Sequence, residues 1–288
     1  MIIVKLVGGL GNQIFQYAYA KSLQQRGYEV KIDISAFETY KLHGGYFIDR
    51  YLIDIELATP GELRRFGVLG VASKLKKQFG FKNNRLTGEE FFFFDDRLMS
   101  PEDDTYIQGY FQSEKYFLEI REVILSQISL KNSLSTYNAG IQKEISMCKI
   151  SCSIHMRRGD YLTNSVANKV HGVLDIEYYK ESIELLENKF SDNIWYFIFS
   201  DDMEWVVDNL HIKNSTFVDS DPDSCPNEDI FLMSLCDHNI IANSSFSWWG
   251  AWLNNNGKKV VISPKQWFMD KKMNDNTFDL IPSIWIRV

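Results

Sequence analysis

The sequence has few cysteines, no excess of positive charge and no long apolar run, and each of these absences excludes a class of protein. Its four cysteines among 288 residues show no paired CxxC spacing, so a disulfide scaffold is not predicted. The formal net charge of −7 argues against a broad nucleic-acid-binding surface, which needs many Lys and Arg side chains. No apolar stretch reaches the ~20 residues of a membrane-spanning helix, and the opening run "MIIVKLV" is too short for a signal peptide. The sequence therefore predicts a cytoplasmic protein with reduced cysteines and no nucleic-acid partner.

Cys148, Cys152 and His155 stand close together and are residue types that bind metals. A strand through these three positions would not give the usual ligand geometry, so a metal site is not predicted here. A chain of this length can build a sizeable core, which does not need disulfide bonds for stability.

What the sequence does contain is a series of short apolar runs with helical patterns between them. Hydrophobic residues make up 45% of the chain and aromatic residues 14%, as in folded globular proteins. The alternation predicts βαβ units with parallel sheets, the α/β class. The main runs are "IIVKLV", "YEVKID", "YIQGYF", "KISCSI", "IWYFIFS", "STFVDS", "HNIIAN" and "VVISP". The turn-prone segment "KNSLSTYNAG" precedes the fourth run, and we predict two domains, 1–148 and 149–288.

A glycine-rich segment, "GGLGNQIFQYAYAKSL", joins the first predicted strand to a helix. Glycines at such a place let the backbone approach a ligand, as in dinucleotide-binding folds, but Ile14 stands where the G-x-G-x-x-G fingerprint has its third glycine. Asp33 follows about 20 residues later, where that motif uses an acidic residue on a ribose, so a nicotinamide-dependent enzyme stays an alternative. Asn12 and Gln13 place two amides where the turn becomes helix and side chains can face a cleft.

The segment "HMRRGDY" begins where the apolar run "KISCSI" ends. In an open parallel sheet, ligands bind beyond the carboxyl ends of the strands. Side chains alternate along a strand, so His155 and Arg157 point one way and Arg158 the other. A guanidinium matches phosphate oxygens and stays charged when desolvated, which makes Arg157 a candidate phosphate ligand. Arg158 is a further candidate for the same ligand, the alternative being an ion pair with Asp160 that locks the loop.

Two further predicted strands end in "FSDD" and in "NSSFSWWGAWL". Asn243, Ser244 and Ser245 stand at the start of a helix, where free N–H groups and the helix dipole form an anion site. Asp201 and Asp202 offer carboxylates to a base or a ribose. Together the three strand ends predict a nucleoside diphosphate pocket.

Two charged segments leave alternatives open. In "DSDPD", Asp219 and Asp221 could hold a divalent metal on a sugar nucleotide, as in a metal-dependent glycosyltransferase, or could form a solvated acidic loop. A stretch from 64 to 85 carries no Asp or Glu and is either a solvated face or a patch for the surface of the inner membrane. Its basic residues are Arg64, Arg65, Lys74, Lys76, Lys77, Lys82 and Arg85.

In their order and spacing, "GGLGNQIFQYAYAKSL", "HMRRGDY", "FSDD" and "NSSFSWWGAWL" resemble the motifs of bacterial α-1,2-fucosyltransferases of glycosyltransferase family 11. The resemblance implies a GT-B-like α/β fold, in which an acceptor-side and a GDP-fucose-binding Rossmann-like domain face an interdomain cleft. It implies inverting transfer of L-fucose from GDP-β-L-fucose to the 2-hydroxyl of a galactose-terminated oligosaccharide or glycolipid. GDP-fucose would be the donor substrate, with no cofactor and no metal required, and surface polysaccharide or O-antigen synthesis is a fitting role.

The resemblance also implies roles for particular residues. Arg157 would hold the donor pyrophosphate, His155 would lie close to the nucleotide, and Asn12 would lie near the reacting centre. The donor side would further include Asp201, Asp202, Ser244 and Ser245. An inverting displacement calls for a group that takes the proton of the acceptor hydroxyl, and Asp160 is the candidate among nearby residues. A non-catalytic module that binds a sugar nucleotide or a glycan is the alternative of a different class.

Overall fold

The computed structural model describes residues 1–39, 45–69, 85–90, 92–159, 170–190, 193–219 and 225–288. The chain forms two compact units, Met1–Ser129 and Leu130–Val288. Each unit contains a parallel sheet with helices, so the α/β class predicted from the apolar runs is confirmed. None of the described helices is both long and apolar enough to cross a membrane.

The first unit has a five-stranded parallel sheet among its described residues, in the order β3-β2-β1-β5-β4. The strands are β1 (Ile2–Lys5), β2 (Val30–Asp33), β3 (Glu56–Leu57), β4 (Leu86–Gly88) and β5 (Thr105–Gln108). The helices are α1 (Leu10–Gln25), α2 (Pro60–Arg65) and α3 (Arg121–Gln127). Short 3-10 turns lie at Ser35–Glu38, Ile48–Arg50, Asp96–Met99, Glu114–Tyr116 and Leu118–Ile120.

Helix α1 lies in the core of this unit. The sequence predicts one apolar face through Phe15, Tyr19 and Leu23, and all three are buried. Burial extends around most of the helix, including polar Gln13 and Gln16, as expected of a helix enclosed on several sides. The sequence segment 58–104, for which no motif could be assigned, contains α2, β4 and the 3-10 turn Asp96–Met99.

The second unit has a six-stranded parallel sheet among its described residues, in the order β11-β10-β9-β6-β7-β8. The strands are β6 (Ile150–Met156), β7 (Ile194–Ser200), β8 (Ser215–Val218), β9 (His238–Ile240), β10 (Val261–Ser263) and β11 (Ile286–Arg287). The helices are α4 (Thr136–Met147), α5 (Ile176–Phe190), α6 (Met203–Asn209), α7 (Pro226–Leu235), α8 (Ser245–Leu253) and α9 (Lys271–Asp275). The runs predicted as strands in this half of the chain coincide with β6 to β10.

The division between the units falls before α4, whereas the sequence places the domain boundary at 148–149, after it. Helix α4 packs on α7, and its Ile141 and Ile145 are buried. The carboxylate of Glu228 in α7 also accepts hydrogen bonds from the backbone N–H of Ser135 (3.0 Å) and from Asn138 Nδ2 (2.9 Å). These contacts attach α4 to the second unit.

The central strand β6 separates an apolar face from a polar one. Side chains at its even positions lie in an apolar core with residues of α5 and α6; they are Cys152, Ile154 and Met156. On the opposite face, Asn239 Nδ2 donates to Ser153 Oγ at 2.7 Å and to the carbonyl of Met233 in α7 at 2.8 Å. By alternation His155 shares the face of Ser153, on the side of the sheet away from Cys152.

Candidate active site

The predicted donor residues of the second unit gather at one edge of its sheet. Strands β9, β6 and β7 are neighbours and run parallel, so their carboxyl ends lie side by side. Arg157 directly follows β6, Asp201 follows β7, and Ser244 comes shortly after β9. This edge is where parallel α/β sheets bind ligands.

Arg157 and Asp201 form an ion pair across two of these strand ends. Arg157 Nη1 lies 3.2 Å from Asp201 Oδ2, and each side chain remains 24% exposed. Burial alone would raise the pKa of Asp201, but the charge of Arg157 and the backbone N–H groups of Arg158 and Gly159 outweigh it and lower that pKa. Gly159 lets the backbone approach closely here, because a Cβ at its position would lie 3.0 Å from the carbonyl oxygen of Asp201, a tighter contact than most side chains make. The carboxylate therefore holds both the guanidinium and the loop that follows it.

Arg158 has different surroundings from its neighbour. Its Nε lies 3.3 Å from Asp202 Oδ2, and its guanidinium stacks over the indole of Trp205 at 3.3 Å from the ring centroid. Stacking on an aromatic face and pairing with a carboxylate both immobilise the guanidinium plane. The structure thus ties Arg158 and Asp202 to α6, while Arg157 and Asp201 stand at the strand ends.

His155 is 4% exposed and lies beneath the first turn of α8. Its ring is tilted against that of Phe246, with 5.4 Å between centroids. Sequence reasoning did not single out Phe246. The contact links the end of β6 to the helix start that follows β9.

Within the segment Asn243–Ser245, Asn243 stabilises the fold, and the two serines form the start of α8. Asn243 is 1% exposed, and its Nδ2 donates to the backbone carbonyls of His171 (2.8 Å) and Gly172 (3.3 Å). Ser244 is the N-cap of α8, with its Oγ accepting from the N–H of Phe246. Ser245 is the first residue of the helix and is only half-buried. Free N–H groups at this turn remain suited to an anion.

Asp229 is a residue of this edge that sequence reasoning missed. It lies in the first turn of α7, the helix that follows β8, and is half-buried. Burial, together with the nearby charge of Glu228, raises the pKa of Asp229 to about 7. No hydrogen bond among the described residues uses its carboxylate, whereas that of Glu228 is engaged by α4. Both residues lie in the acidic first turn of the helix, and sequence pattern alone does not distinguish them.

In the first unit, Asn12 lies at the carboxyl edge of the sheet, in the first turn of α1. Gln112 Nε2, beyond the end of β5, donates to Asn12 Oδ1 at 2.7 Å. On its other side the amide lies against Gly8, whose φ is +90° and whose position has no room for a side chain, since a Cβ would lie 2.8 Å from Asn12 Nδ2. The glycine turn therefore serves the placement of Asn12.

Two other polar residues of the first unit prove to be structural. Gln13 is fully buried, and its Nε2 donates to the carbonyls of Gly8 and Gly45 at 2.9 and 2.8 Å. Asp33 is 2% exposed and accepts from Tyr106 Oη at 2.6 Å and from the N–H of Ser35 at 2.8 Å. Asp33 is thus occupied within the fold, which argues against a role on a nicotinamide ribose.

Several predicted residues lie outside the described part of the chain: Asp160, Asp221 and Lys74, Lys76, Lys77 and Lys82 of the basic stretch. Asp219 is described, and its N–H donates to Tyr137 Oη at 3.0 Å. Within the described ranges no group of three His, Cys, Asp or Glu side chains is arranged to hold a metal. Arg65 of the basic stretch pairs with Asp104. Contact with the inner membrane stays a prediction.

The chain has two units, each with a parallel sheet and with polar residues at its strand ends, an arrangement shared with GT-B-like folds. Fucosyltransferase NodZ from Bradyrhizobium has a similar fold, with a TM-score of 0.52 at 13% identity over 86% of this chain and 91% of that chain. NodZ α-1,6-fucosyltransferase co-crystallised with GDP gives a TM-score of 0.52 at 12% identity, over 86% and 90%. The GT-B-like fold class predicted from the sequence is therefore confirmed.

The chain belongs to glycosyl transferase family 11, whose family model matches residues 84–286. An α-1,2-colitosyltransferase of Escherichia coli is 35% identical over 100% of this chain and 99% of that protein. The O-antigen biosynthesis glycosyltransferase WbnK of Escherichia coli is 32% identical over 95% and 97%. The protein is thus a glycosyltransferase of the predicted family, which sets aside the non-catalytic module.

Proposed function

We propose that this enzyme transfers L-fucose from GDP-β-L-fucose to the 2-hydroxyl of a galactose-terminated glycan, with inversion and without a metal ion. The observation that carries the proposal is the cationic strand end at Arg157, adjacent to the N-terminus of α8 in the same sheet edge. Family membership and the α-1,2-linked relatives support the transfer and its linkage. An O-antigen relative supports a polysaccharide acceptor.

The leaving group explains why Arg157 is central. Breaking the bond between the anomeric carbon and the phosphate leaves negative charge on GDP, which the protein must stabilise if no metal does so. Asp201 contacts Arg157 through Nη1, so the pair fixes the orientation of a guanidinium whose planar fork matches phosphate oxygens. The free N–H groups at the start of α8 add a second source of positive potential.

Asp229 is the candidate for reading the base of the nucleotide. Guanine presents two adjacent N–H donors on its Watson–Crick edge, and a single carboxylate can accept both. Asp229 lies at the ligand-binding edge and its carboxylate is not used by the described residues. A guanine diphosphate is therefore a suitable donor carrier for this edge.

Colitose is the second candidate for the transferred sugar, since the relative that is 35% identical over 100% of this chain is a colitosyltransferase. Colitose is L-fucose without its 3-hydroxyl, so a site for either sugar needs the same phosphate and base contacts. The two donors differ only in that hydroxyl, so the preference between them depends on whether the site forms a hydrogen bond with it. A site built to bind a hydroxyl rejects an analogue that lacks it far more strongly than the reverse.

The test is release of GDP from GDP-fucose and from the GDP derivative of colitose, with and without lactose as a galactoside, in the presence of EDTA. Galactoside-stimulated release that resists EDTA, together with an α-1,2 linkage in the product, is the expected result for GDP-fucose. Faster release from the colitose donor would replace fucose by colitose in the proposal. Activity that returns only on adding a divalent metal would overturn metal independence and direct attention to Asp219 and Asp221.

Tyr110 is the residue of the first unit that we expect to contact the acceptor. Its side chain is 39% exposed just beyond the end of β5 and is nearly parallel to the ring of Phe92, at 6.3 Å between centroids. An exposed aromatic face suits the apolar face of a galactose ring. Tyr110→Ala should raise the KM for lactose about tenfold, with the KM for the donor unchanged. Tyr137→Ala in the second unit is the matched control, because Tyr137 is 40% exposed; equal effects of both changes would contradict the assignment.

A further inference from the structure

The chain makes an unusual turn directly after β5, over residues 109–112. Phe111 has a backbone φ of +52°, a value that residues other than glycine rarely adopt. Its ring is fully buried and stacks on Tyr19 with 3.9 Å between centroids. A backbone in this region persists only where surrounding contacts enforce it, and such positions cluster at functional sites.

Glu89, directly after β4, holds this turn. Its Oε2 accepts hydrogen bonds from the backbone N–H groups of Tyr110 and Phe111, both at 2.9 Å. Gly109 makes the approach possible, because a Cβ there would lie 2.7 Å from Glu89 Cβ. Gln16 Nε2 donates to the carbonyl of Gly109 at 3.0 Å and ties the turn to α1.

The turn ends at Gln112, which sets the orientation of Asn12. Gln112 is 7% exposed, so its side chain has little freedom, and its Nε2 donates to Asn12 Oδ1. With Gly8 packed on the other side, the amide of Asn12 is held between two fixed neighbours. A shift of the turn would move Gln112 and, through it, Asn12.

We propose that Glu89 is a positioning residue for the transfer reaction, acting on Asn12 through the turn 109–112 and Gln112. The inference rests on the proposed function, because Asn12 is expected near the reacting centre by resemblance to the family. Glu89 contacts no substrate in this scheme; its role is to keep a strained backbone in the conformation that places Asn12.

The charge of Glu89 gives this role a recognisable pH dependence. Burial raises the pKa of Glu89 to about 7, although the N–H groups of Phe111 and Tyr110 and the hydroxyl of Tyr116 lower it; the charge of Asp95 raises it further. The anion binds the two N–H groups more strongly than the neutral acid does. Turnover should therefore fall as the pH drops through about 7.

The effect of Glu89 on stability has the opposite sign. The folded state binds its proton more tightly than the unfolded state, whose value lies near 4.5. The contribution of Glu89 to the free energy of unfolding therefore increases as the pH falls from about 7 towards 4.5. This contribution is lost when the pH rises above about 7. A residue that costs stability when charged, yet supports turnover when charged, is not explained by a structural role alone.

The test is Glu89→Gln, assayed with whichever GDP-sugar the wild type transfers. At pH 8 we expect kcat to fall about tenfold with the KM for the donor unchanged, because a neutral amide holds the turn less strongly than a carboxylate. The acid limb near pH 7 in the profile of kcat, measured at saturating donor so that donor binding does not contribute, should disappear. The melting temperature at pH 8 should be no lower than that of the wild type.

A double-mutant cycle with Asn12→Ala tests the route through Asn12. If Glu89 acts through Asn12, Glu89→Gln has no further effect in the Asn12→Ala background. Tyr106→Phe is the matched control, since it removes a buried hydrogen bond to Asp33 elsewhere in the same sheet and should combine additively. Additive effects of Glu89→Gln, a retained acid limb, or a loss of kcat that follows a loss of melting temperature would each overturn the proposal. A wild type that transfers no sugar would instead remove the proposed function itself.

Discussion

Replacing Arg157 with alanine should lower kcat by about 10²–10³-fold, the usual effect of removing one well-placed group that stabilises charge in a transition state. The reason is the position of the guanidinium, at the carboxyl end of β6 and beside the start of α8. Arg157→Lys should fail to restore activity, because a single ammonium cannot reproduce the planar fork that matches phosphate oxygens. The measurement is steady-state GDP release from GDP-fucose with lactose present.

The partnership of Arg157 with Asp201 makes controls necessary. Arg158→Ala removes the neighbouring guanidinium, which pairs with Asp202 and stacks on Trp205, and should lower the melting temperature while folded enzyme keeps most of its turnover. Far-ultraviolet circular dichroism of Arg157→Ala should match the wild type. If folded Arg157→Ala kept near-normal kcat, or if Arg158→Ala were the more damaging change to kcat, the phosphate role would belong elsewhere.

Asp229→Asn should weaken binding of GDP by roughly 10–100-fold, the scale of losing hydrogen bonds to a charged group. An asparagine has one acceptor oxygen and carries no charge, so it cannot accept both N–H groups of guanine as a carboxylate does. Because the pKa of Asp229 is raised to about 7, the ligand-free protein must lose a proton to bind guanine in this way. Affinity for GDP should therefore fall as the pH drops below about 7, and calorimetry in buffers of different ionisation enthalpy should detect release of a proton on binding.

Glu228→Gln is the matched control for this prediction. Glu228 precedes Asp229 in the same helix turn, but its carboxylate is engaged by Ser135 and Asn138, so the change should reduce stability and leave the affinity for GDP almost unaltered. The pH dependence should persist in Glu228→Gln and vanish in Asp229→Asn. Affinity for GDP that is insensitive to Asp229→Asn would contradict the assignment of this carboxylate to the base.

The strand ends of the second unit could be predicted because they have a strong local signal. Strands buried on both faces form nearly continuous apolar runs, and a polar segment after such a run marks the carboxyl edge of the sheet. The run before Asp201 is of this kind, whereas the run before Arg157 alternates apolar with polar side chains; both residues lie at that edge. Their pairing could not be predicted, since it depends on β6 and β7 being neighbours in the sheet.

The first unit was harder to predict because its site depends on contacts between distant segments. Glu89 follows a three-residue strand, too short for a periodic signal, and Gln112 and Asn12 meet across 100 positions of sequence. Polar Gln13 and Asp33 are of types that usually reach solvent or a ligand, yet each satisfies its hydrogen bonds inside the fold. A sequence pattern predicts the strand, helix or turn on which a polar residue lies, but it does not predict the hydrogen-bond partner of the side chain.

The attachment of α4 to the second unit has a practical consequence for making hybrid enzymes. A hybrid that exchanges the first unit for that of a relative should be joined close to Ser129 and Leu130, ahead of Ser135. A junction at 148–149 would replace α4 by the corresponding helix of the relative. The buried carboxylate of Glu228 would then lose both of its hydrogen-bond donors unless the incoming helix supplied them. Hybrids joined at the earlier point keep every α4 contact with α7 and can recombine the two halves of the enzyme without this mismatch.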